Sequence, residues 1–179
     1  MAAAFEPHLQ QRRPLGNAGG PPGAGAPGAD ALRLAAGPGS AAAGGTGAGD
    51  VLASRVLQVK RLPPGSSISY GCTYTTPKGC DLAVLPVGYC NGYNRLLSNR
   101  GAVLIQGQRA PIRGRVCMNL TMVEVTGIPG VKEGDRVTLL GTDGDDQISA
   151  DELAAWADTI SYEVYCLLGA ANLRRYQEK

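Results

Sequence analysis

The polar and apolar positions divide the chain into two parts that meet near residue 51. Residues 1–50 consist largely of alanine, glycine and proline, without a sustained alternation or a helical apolar period. Such a composition buries too little apolar surface to offset the entropy of ordering the backbone. We therefore predict a disordered tail over residues 1–50, with at most a transient helical turn near residues 30–34, and a folded domain over residues 51–179.

Beyond residue 51, short apolar segments alternate with turn residues, which is typical of an antiparallel β domain. Turn signals occur at residues 63–65 and 106–109. The predicted strands lie at residues 56–59, 67–74, 81–87, 102–105, 110–112, 115–118, 121–125 and 136–140. Their spacing by turns favours a small, closed or nearly closed antiparallel β-barrel over a parallel sheet.

The last part of the domain carries helical signals. Ser149, followed three residues later by Glu152, predicts a capping box, and Leu153 and Trp156 share one helical face. A second short helix fits residues 161–168 and is predicted to end at the following glycine. The predicted fold class is therefore mainly β, with short C-terminal helices.

Charge and cysteine content narrow the class of protein. A net charge of +2 is too small to indicate nucleic acid or an anionic membrane surface, and no apolar run approaches the ~20 residues of a membrane span. Five cysteines without a Cys-x-x-Cys pair or a secretory signal favour reduced thiols in a cytoplasmic protein. The acidic residues 141–152 fit a solvated turn better than a calcium loop, and the sequence predicts no native metal site.

Four short motifs carry the candidate chemistry. They are Ser69-Tyr70-Gly71, Gly88-Tyr89-Cys90-Asn91-Gly92-Tyr93, Arg115-Val116-Cys117-Met118 and Ile160-Ser161-Tyr162-Glu163. Seven tyrosines against one phenylalanine indicate a polar pocket or a hydrated interface, because a buried phenol needs a hydrogen-bond partner. In this order the motifs resemble the C-terminal β domain of alanine racemases, enzymes that use pyridoxal phosphate (PLP), over residues 51–176.

The resemblance implies a role for each motif residue. In that family the tyrosine matched by Tyr70 is the second catalytic base, which acts on the face of the substrate α-carbon opposite the PLP lysine. Met118 and Tyr89 match substrate-binding residues, the latter at the mouth of the channel. Arg95 and Arg115 match charged groups along the substrate access channel.

The resemblance also implies a cofactor and partners. Tyr162 matches a tyrosine that helps to hold the PLP phosphate. Active sites in the family form between subunits, which implies a PLP-barrel domain or subunit as partner and a homodimer in the intact enzyme. The implied reaction interconverts L-alanine and D-alanine and supplies D-alanine for peptidoglycan.

The lysines of the chain do not match the PLP motif of the family. They are Lys60, Lys78, Lys132 and Lys179. The resemblance therefore implies that this chain alone binds no PLP and is inactive, with a PLP barrel that is supplied in trans or lost by truncation or frameshift. Asn91 and Asn119 stand where the family usually has aspartate, which alters charge more than shape.

Two other functions stay open from the sequence. One is a non-catalytic interaction or dimerisation module that has kept the domain. The other is an oligonucleotide-binding small barrel, against which the low net charge and the single phenylalanine argue.

Overall fold

The structure, a computed structural model, describes residues 33–36 and 50–176, with side-chain positions for residues 50–173. Most of the predicted tail lies outside these residues, so its disorder stays a prediction. Within the tail, Arg33–Ala36 forms a strand. The helical turn considered for residues 30–34 is therefore wrong at its C-terminal end, because this segment pairs with its neighbours in a sheet.

The described residues contain twelve strands and two α-helices. The strands are β1 (Arg33–Ala36), β2 (Asp50–Arg55), β3 (Gln58–Leu62), β4 (Ser67–Ile68), β5 (Tyr74–Thr75), β6 (Cys80–Leu85), β7 (Ala102–Ile105), β8 (Gln108–Pro111), β9 (Thr121–Glu124), β10 (Arg136–Asp143), β11 (Asp146–Ile148) and β12 (Arg174–Tyr176). The helices are α1 (Ala150–Ala157) and α2 (Ser161–Ala171). The fold is mainly β with two short C-terminal helices, as predicted. Neither of these helices has the length and apolarity needed to cross a bilayer.

The strands form three sheets. The largest has the order β12-β1-β2-β10-β7-β8, with β11 on β10; the second is β3-β6-β9; and β4 pairs with β5. Every pair is antiparallel except β1 with β12. The first two sheets are joined where β2 runs into β3, with Leu57 N–H donating to Val84 O at 2.8 Å, and by a single bridge between Ile112 and Val123. The described sheets therefore do not close into one barrel.

An interior strand of the sheets is apolar, and an edge strand carries charged residues. β7 is continuously apolar because it lies between β10 and β8, and Val103, Leu104 and Ile105 are fully buried. β3 lies at the edge of its sheet and exposes two adjacent charged residues, Lys60 and Arg61. The core also includes Leu52, Val56, Ala83, Leu85, Val87, Tyr93, Leu97, Val123, Val137, Leu139, Ile148, Leu153 and Leu168. The sheets and the helices thus share one apolar interior.

Two of the predicted strands are wrong. Residues 67–74 are divided into β4 and β5 by a 3-10 turn at Tyr70–Cys72, and residues 115–118 form a loop. The first is interrupted because Ser69, Gly71 and Cys72 have φ angles of 64°, 72° and 48°, which a strand cannot accommodate. The second bends back on itself, and Cys117 N–H donates to Leu120 O at 2.9 Å.

The helices begin as predicted, but α2 is longer. Ser149 Oγ accepts from Glu152 N–H at 3.1 Å, which caps α1. The Glu152 carboxylate instead accepts from Arg109, so only half of the capping box forms. α2 continues through Gly169 to Ala171, where the sequence predicted an end. Asn172 Nδ2 donates to Leu168 O at 2.8 Å and caps the last turn.

Candidate active site

Tyr70 begins the 3-10 turn between β4 and β5. Its side chain is 74% exposed, so the phenol is reachable from solvent and is not part of the packed core. Ser69 and Cys72 have left-handed φ angles, which cost a non-glycine residue about 1–2 kcal/mol each. Because this backbone is unfavourable by itself, contacts from the surroundings must hold the turn.

Ser69 connects the turn to the loop that contains Arg115. Ser69 Oγ donates to Arg115 O at 2.7 Å and lies 3.2 Å from Cys117 Sγ. Cys117 is buried and Arg115 is half-buried. The start of the Tyr70 turn is therefore fixed to the third motif, although 46 residues separate Ser69 from Arg115 in sequence.

Two glycines allow the close approach of these segments. A Cβ added at Gly114 would lie 2.7 Å from Ile68 O, and the φ of Gly114 is +77°. A Cβ added at Gly71 would lie 3.3 Å from Arg115 Nε. The guanidinium of Arg115 therefore lies directly beside the residue that follows Tyr70.

Tyr89 and Met118 are brought together by backbone hydrogen bonds. Tyr89 N–H donates to Cys117 O at 3.0 Å, and Cys90 N–H donates to Met118 O at 2.9 Å. A Cβ added at Gly88 would lie 2.5 Å from the carbonyl carbon of Met118, so only glycine fits this approach. The side chains of Tyr89 and Met118 are 45% and 58% exposed. The two predicted substrate-binding residues thus share one exposed surface.

Asn91 shapes the turn that carries Tyr89. Its Oδ1 accepts from Gly88 N–H at 3.1 Å and lies 3.3 Å from Cys90 Sγ. An amide oxygen fills this acceptor position as well as a carboxylate oxygen would. The asparagine therefore retains the turn while it removes one negative charge.

Arg95 is connected through Ser98 to the loop that contains Arg115 and Met118. It begins a 3-10 helix at Arg95–Leu97 and is exposed. Ser98 Oγ donates to Arg95 O at 2.5 Å and accepts from Val116 N–H at 2.9 Å. Ser98 thus fixes the helix that carries Arg95 to the third motif.

Asn99 was not singled out by the sequence analysis, yet it contacts two of the site segments. Its Oδ1 accepts from Gly114 N–H at 2.6 Å, and its Nδ2 lies 3.3 Å from Thr73 O and 3.2 Å from Thr73 Oγ1. Its φ is 59°. An asparagine within a Ser-Asn-Arg-Gly segment is typical of a turn with a left-handed residue, and this is the signal that could have identified it.

Tyr162 lies on a separate element. It is in the first turn of α2 and is 78% exposed. The other half of α2 contacts the Tyr89 turn, because Asn172 Nδ2 donates to Asn91 O at 2.8 Å and Gly92 packs on Leu167. At 1.5 Å per residue, Tyr162 lies about 7–8 Å along the helix from Leu167. The structure thus joins Tyr70, Tyr89, Arg95, Arg115 and Met118 through one loop and presents Tyr162 apart from them.

The domain that carries this arrangement is matched by one family. The family described as "Alanine racemase, C-terminal domain" matches residues 51–176.

The chain belongs to this family. The resemblance inferred from the four motifs is therefore confirmed, and an oligonucleotide-binding barrel is not the family of this domain.

Curated relatives share about half of the aligned residues. The alanine racemase of Halothermothrix orenii is 50% identical over 126 residues, which cover 70% of this chain and 33% of that protein. The alanine racemase of Nitratidesulfovibrio vulgaris (strain DP4) is 53% identical over 123 residues, which cover 69% and 32%. The chain thus spans about a third of the length of these relatives.

Solved structures show the same architecture. Alanine racemase from E. faecalis superposes with a TM-score of 0.69 at 36% identity, over 73% of this chain and 34% of that one. The Bacillus anthracis enzyme with bound L-Ala-P gives 0.66 at 36% identity, over 72% and 32%. The Bartonella henselae enzyme, with covalently bound pyridoxal phosphate, gives 0.67 at 28% identity, over 73% and 35%.

One concavity of this racemase-family domain lies away from the predicted site. It has a volume of about 540 Å³ and is lined by Arg109, Arg113, Glu124 and Asp146, among others. Arg109 Nε lies 2.7 Å from Asp146 Oδ2, and Arg113 Nε lies 2.8 Å from Glu124 Oε2. The hydrogen bond from Arg109 lowers the pKa of the Asp146 carboxyl below its ordinary value. The acidic segment considered as a calcium loop thus uses Asp146 in an ion pair.

Proposed function

We propose that this domain supplies the tyrosine base of an alanine racemase, with Tyr70 moving a proton at the substrate α-carbon. One observation supports the proposal above the others. The phenol of Tyr70 is exposed on a turn of unfavourable backbone geometry that is tied to the loop of Arg115 and Met118. Such restrained backbone is found at functional sites more often than in ordinary surface turns.

Inversion at a carbon explains why a second base is needed. A proton removed from one face of the α-carbon must return from the opposite face, so two groups must act from opposite sides. A general base must lie within hydrogen-bond reach of the proton that it moves. An exposed phenol on a fixed turn can approach a substrate held on another part of the enzyme, whereas a buried one could not.

The neighbouring residues would bind and orient the substrate. We assign Tyr89 and Met118 to substrate contact because they share the exposed surface beside the loop. The carbonyl of Met118 is used by Cys90 N–H, so we assign its backbone N–H to the substrate. Arg95 and Arg115 would attract the carboxylate of alanine along the access channel.

The described residues fit one end of PLP. The exposed phenol of Tyr162 lies in the first turn of α2, where a hydrogen-bond donor and the helix dipole both favour a phosphate. When bound, PLP supplies the electron sink for the pair left on the α-carbon. The lysines of the described residues, Lys60, Lys78 and Lys132, are exposed and lie on other segments. We therefore propose that the PLP lysine belongs to a partner barrel and that the 179-residue chain alone is inactive.

We also propose a partner surface beside the site. Large apolar or aromatic side chains are exposed on or beside the site segments at Tyr70, Leu96, Met118, Ile160 and Tyr162. Large apolar side chains left exposed to solvent mark interaction surfaces where they are contiguous. We propose that a PLP-bearing domain docks here, that the intact enzyme is a homodimer, and that it forms D-alanine for peptidoglycan in the cytoplasm.

A chimaera tests the proposal directly. The C-terminal third of the H. orenii racemase would be replaced by residues 51–176 of this chain, and racemisation would be followed from both L-alanine and D-alanine. We expect turnover that Tyr70→Phe removes, while Tyr165→Phe, at another tyrosine of the domain, leaves it unchanged. Full turnover with Tyr70→Phe contradicts the proposal.

A second experiment separates catalysis from interaction alone. The complete chain would be mixed with a separately expressed PLP barrel, and both binding and racemisation would be measured. Binding without turnover favours the interaction module, whereas turnover that depends on Tyr70 favours the racemase. For the chain alone with added PLP we expect no turnover, and a visible absorbance band that chemical reduction fixes to one of its lysines would contradict this.

A further inference from the structure

The turn of Tyr70 has two ends, and each is held by a different side chain. Ser69 holds the first end through its bond to Arg115 O. Asn99 reaches the second end, because its Nδ2 lies within hydrogen-bond distance of both Thr73 O and Thr73 Oγ1. The turn also has the bond from Cys72 N–H to Ser69 O, which is long at 3.4 Å. Contacts from outside the turn are therefore needed to fix it.

Asn99 also holds the loop on which the first contact depends. Its Oδ1 accepts from Gly114 N–H at 2.6 Å, one residue before Arg115. A single amide group thus joins the end of the Tyr70 turn to the start of the Arg115 loop. Together with the Ser69 bond, it closes a ring of contacts around Tyr70, so a displacement of Asn99 would loosen both segments.

We propose that Asn99 is a positioning residue that sets the location of the Tyr70 phenol. The inference rests on the proposed function of Tyr70 as a base. A base displaced by a fraction of an ångström loses alignment with the α-hydrogen, and turnover falls although the residue is still present. Asn99 itself does not touch the substrate in this proposal; it acts through the two backbone segments that it joins.

The chemistry of the side chain gives a way to separate its two contacts. An amide both accepts and donates, whereas a carboxylate only accepts. Asn99→Asp therefore keeps the acceptor for Gly114 N–H and loses the donor to Thr73 O, which a carboxylate cannot replace. Asn99→Gly removes both contacts while it tolerates the left-handed φ of 59°. Asn172→Asp is the matched control, because it makes the same chemical change at a donor to Asn91 O and Leu168 O.

The first measurement needs no enzymatic activity. Backbone order parameters and amide exchange would be recorded by NMR on the complete 179-residue chain. We expect the order parameters of residues 70–73 to fall from about 0.85 to below about 0.6 in both Asn99 variants. In the control they should stay unchanged. Gly114 N–H should stay protected in Asn99→Asp and exchange about tenfold faster in Asn99→Gly. Unchanged order in residues 70–73 overturns the inference.

The second measurement uses the chimaera described above. With Asn99→Asp we expect kcat to fall about tenfold at a KM within about twofold, as for a lost alignment. The α-deuterium isotope effect should rise for the enantiomer whose hydrogen Tyr70 removes and should not rise for the other. If the turn becomes mobile but the isotope effects do not change, Asn99 has only a structural role, and the positioning role is overturned. If instead Tyr70→Phe keeps full turnover, the proposed function fails, while the NMR result still reports on the turn.

Discussion

The turn around Tyr70 and the packed layer around Tyr93 place the same amino acid in opposite environments. Tyr70 is 74% exposed on a turn that hydrogen bonds with distant segments hold in place. Tyr93 is 1% exposed, and its hydroxyl has no hydrogen-bond partner within the described part of the chain. Burial raises the pKa of the Tyr93 phenol well above its ordinary value. The first region is organised by polar contacts and the second by apolar packing.

This difference shows what each region can contribute. The layer around Tyr93, with Leu97, Leu153 and Leu168, supplies stability through buried area. The Tyr70 region adds little buried area but fixes the direction of an exposed group. Substitutions in the two regions should therefore separate activity from stability, and four substitutions test that separation.

Tyr70→Phe should have the largest effect, and on activity alone. We expect racemisation by the chimaera to fall by about 10³-fold, which is within the range for a lost general base. The melting temperature should shift by less than about 2 °C, because an exposed hydroxyl contributes little to folding. Racemisation assays and calorimetry on the same preparation measure both quantities. A large loss of stability would show that the two regions are not separable here.

Leu153→Ala should show the opposite behaviour. The side chain is 2% exposed in the layer beneath the helices, and its removal should lower the free energy of unfolding by about 3 kcal/mol. Urea unfolding of the complete chain measures the loss. In the chimaera, under conditions in which the variant is still folded, KM for alanine should stay unchanged within about twofold, since Leu153 is not on the site segments.

Gly88→Ala should affect both activity and stability, because Gly88 packs against the backbone of Cys117 and Met118. The new methyl group would overlap the backbone of Cys117 and Met118, so the two segments must separate. We expect the free energy of unfolding of the chain to fall by about 2–3 kcal/mol and KM for alanine in the chimaera to rise. Gly127→Ala is the matched control, because a Cβ there meets no atom within 4 Å. A stable Gly88→Ala variant with normal KM would contradict the close approach described here.

Tyr93→Phe should have the smallest effect at neutral pH and a larger one in alkali. Removal of an unpartnered buried hydroxyl should leave stability unchanged or raise it by up to about 1 kcal/mol. The phenol ionises near pH 10 in the unfolded chain but stays protonated when folded, since its folded pKa is raised. The wild type should therefore lose stability relative to the variant as the pH rises above about 10, by about 1.4 kcal/mol per pH unit. Urea unfolding of both proteins between pH 8 and about 11 measures this divergence in the free energy of unfolding, and parallel curves would contradict it.

Some elements of the fold could be predicted from the sequence because interactions between nearby residues determine them. The apolar run of β7 and the serine before α1 predict their elements, since burial and capping depend on neighbours in sequence. The strand predicted at residues 67–74 was wrong because left-handed backbone at Ser69 and Cys72 is held by contacts with residues far away in sequence. The end of α2 was misplaced because Asn172 caps it from beyond the glycine.

The candidate site also divides into features that the sequence predicts and features that only the tertiary structure determines. The order of four motifs was enough to identify the racemase family and to nominate Tyr70, Tyr89, Arg95, Arg115, Met118 and Tyr162. Side-chain types and their order along the chain carry that information. Which of these residues meet through one loop, and that Asn99 ties the loop to the Tyr70 turn, depended on the tertiary structure. Hydrogen bonds between segments separated by tens of residues leave no periodic trace in a sequence, because only folding brings their donors and acceptors together.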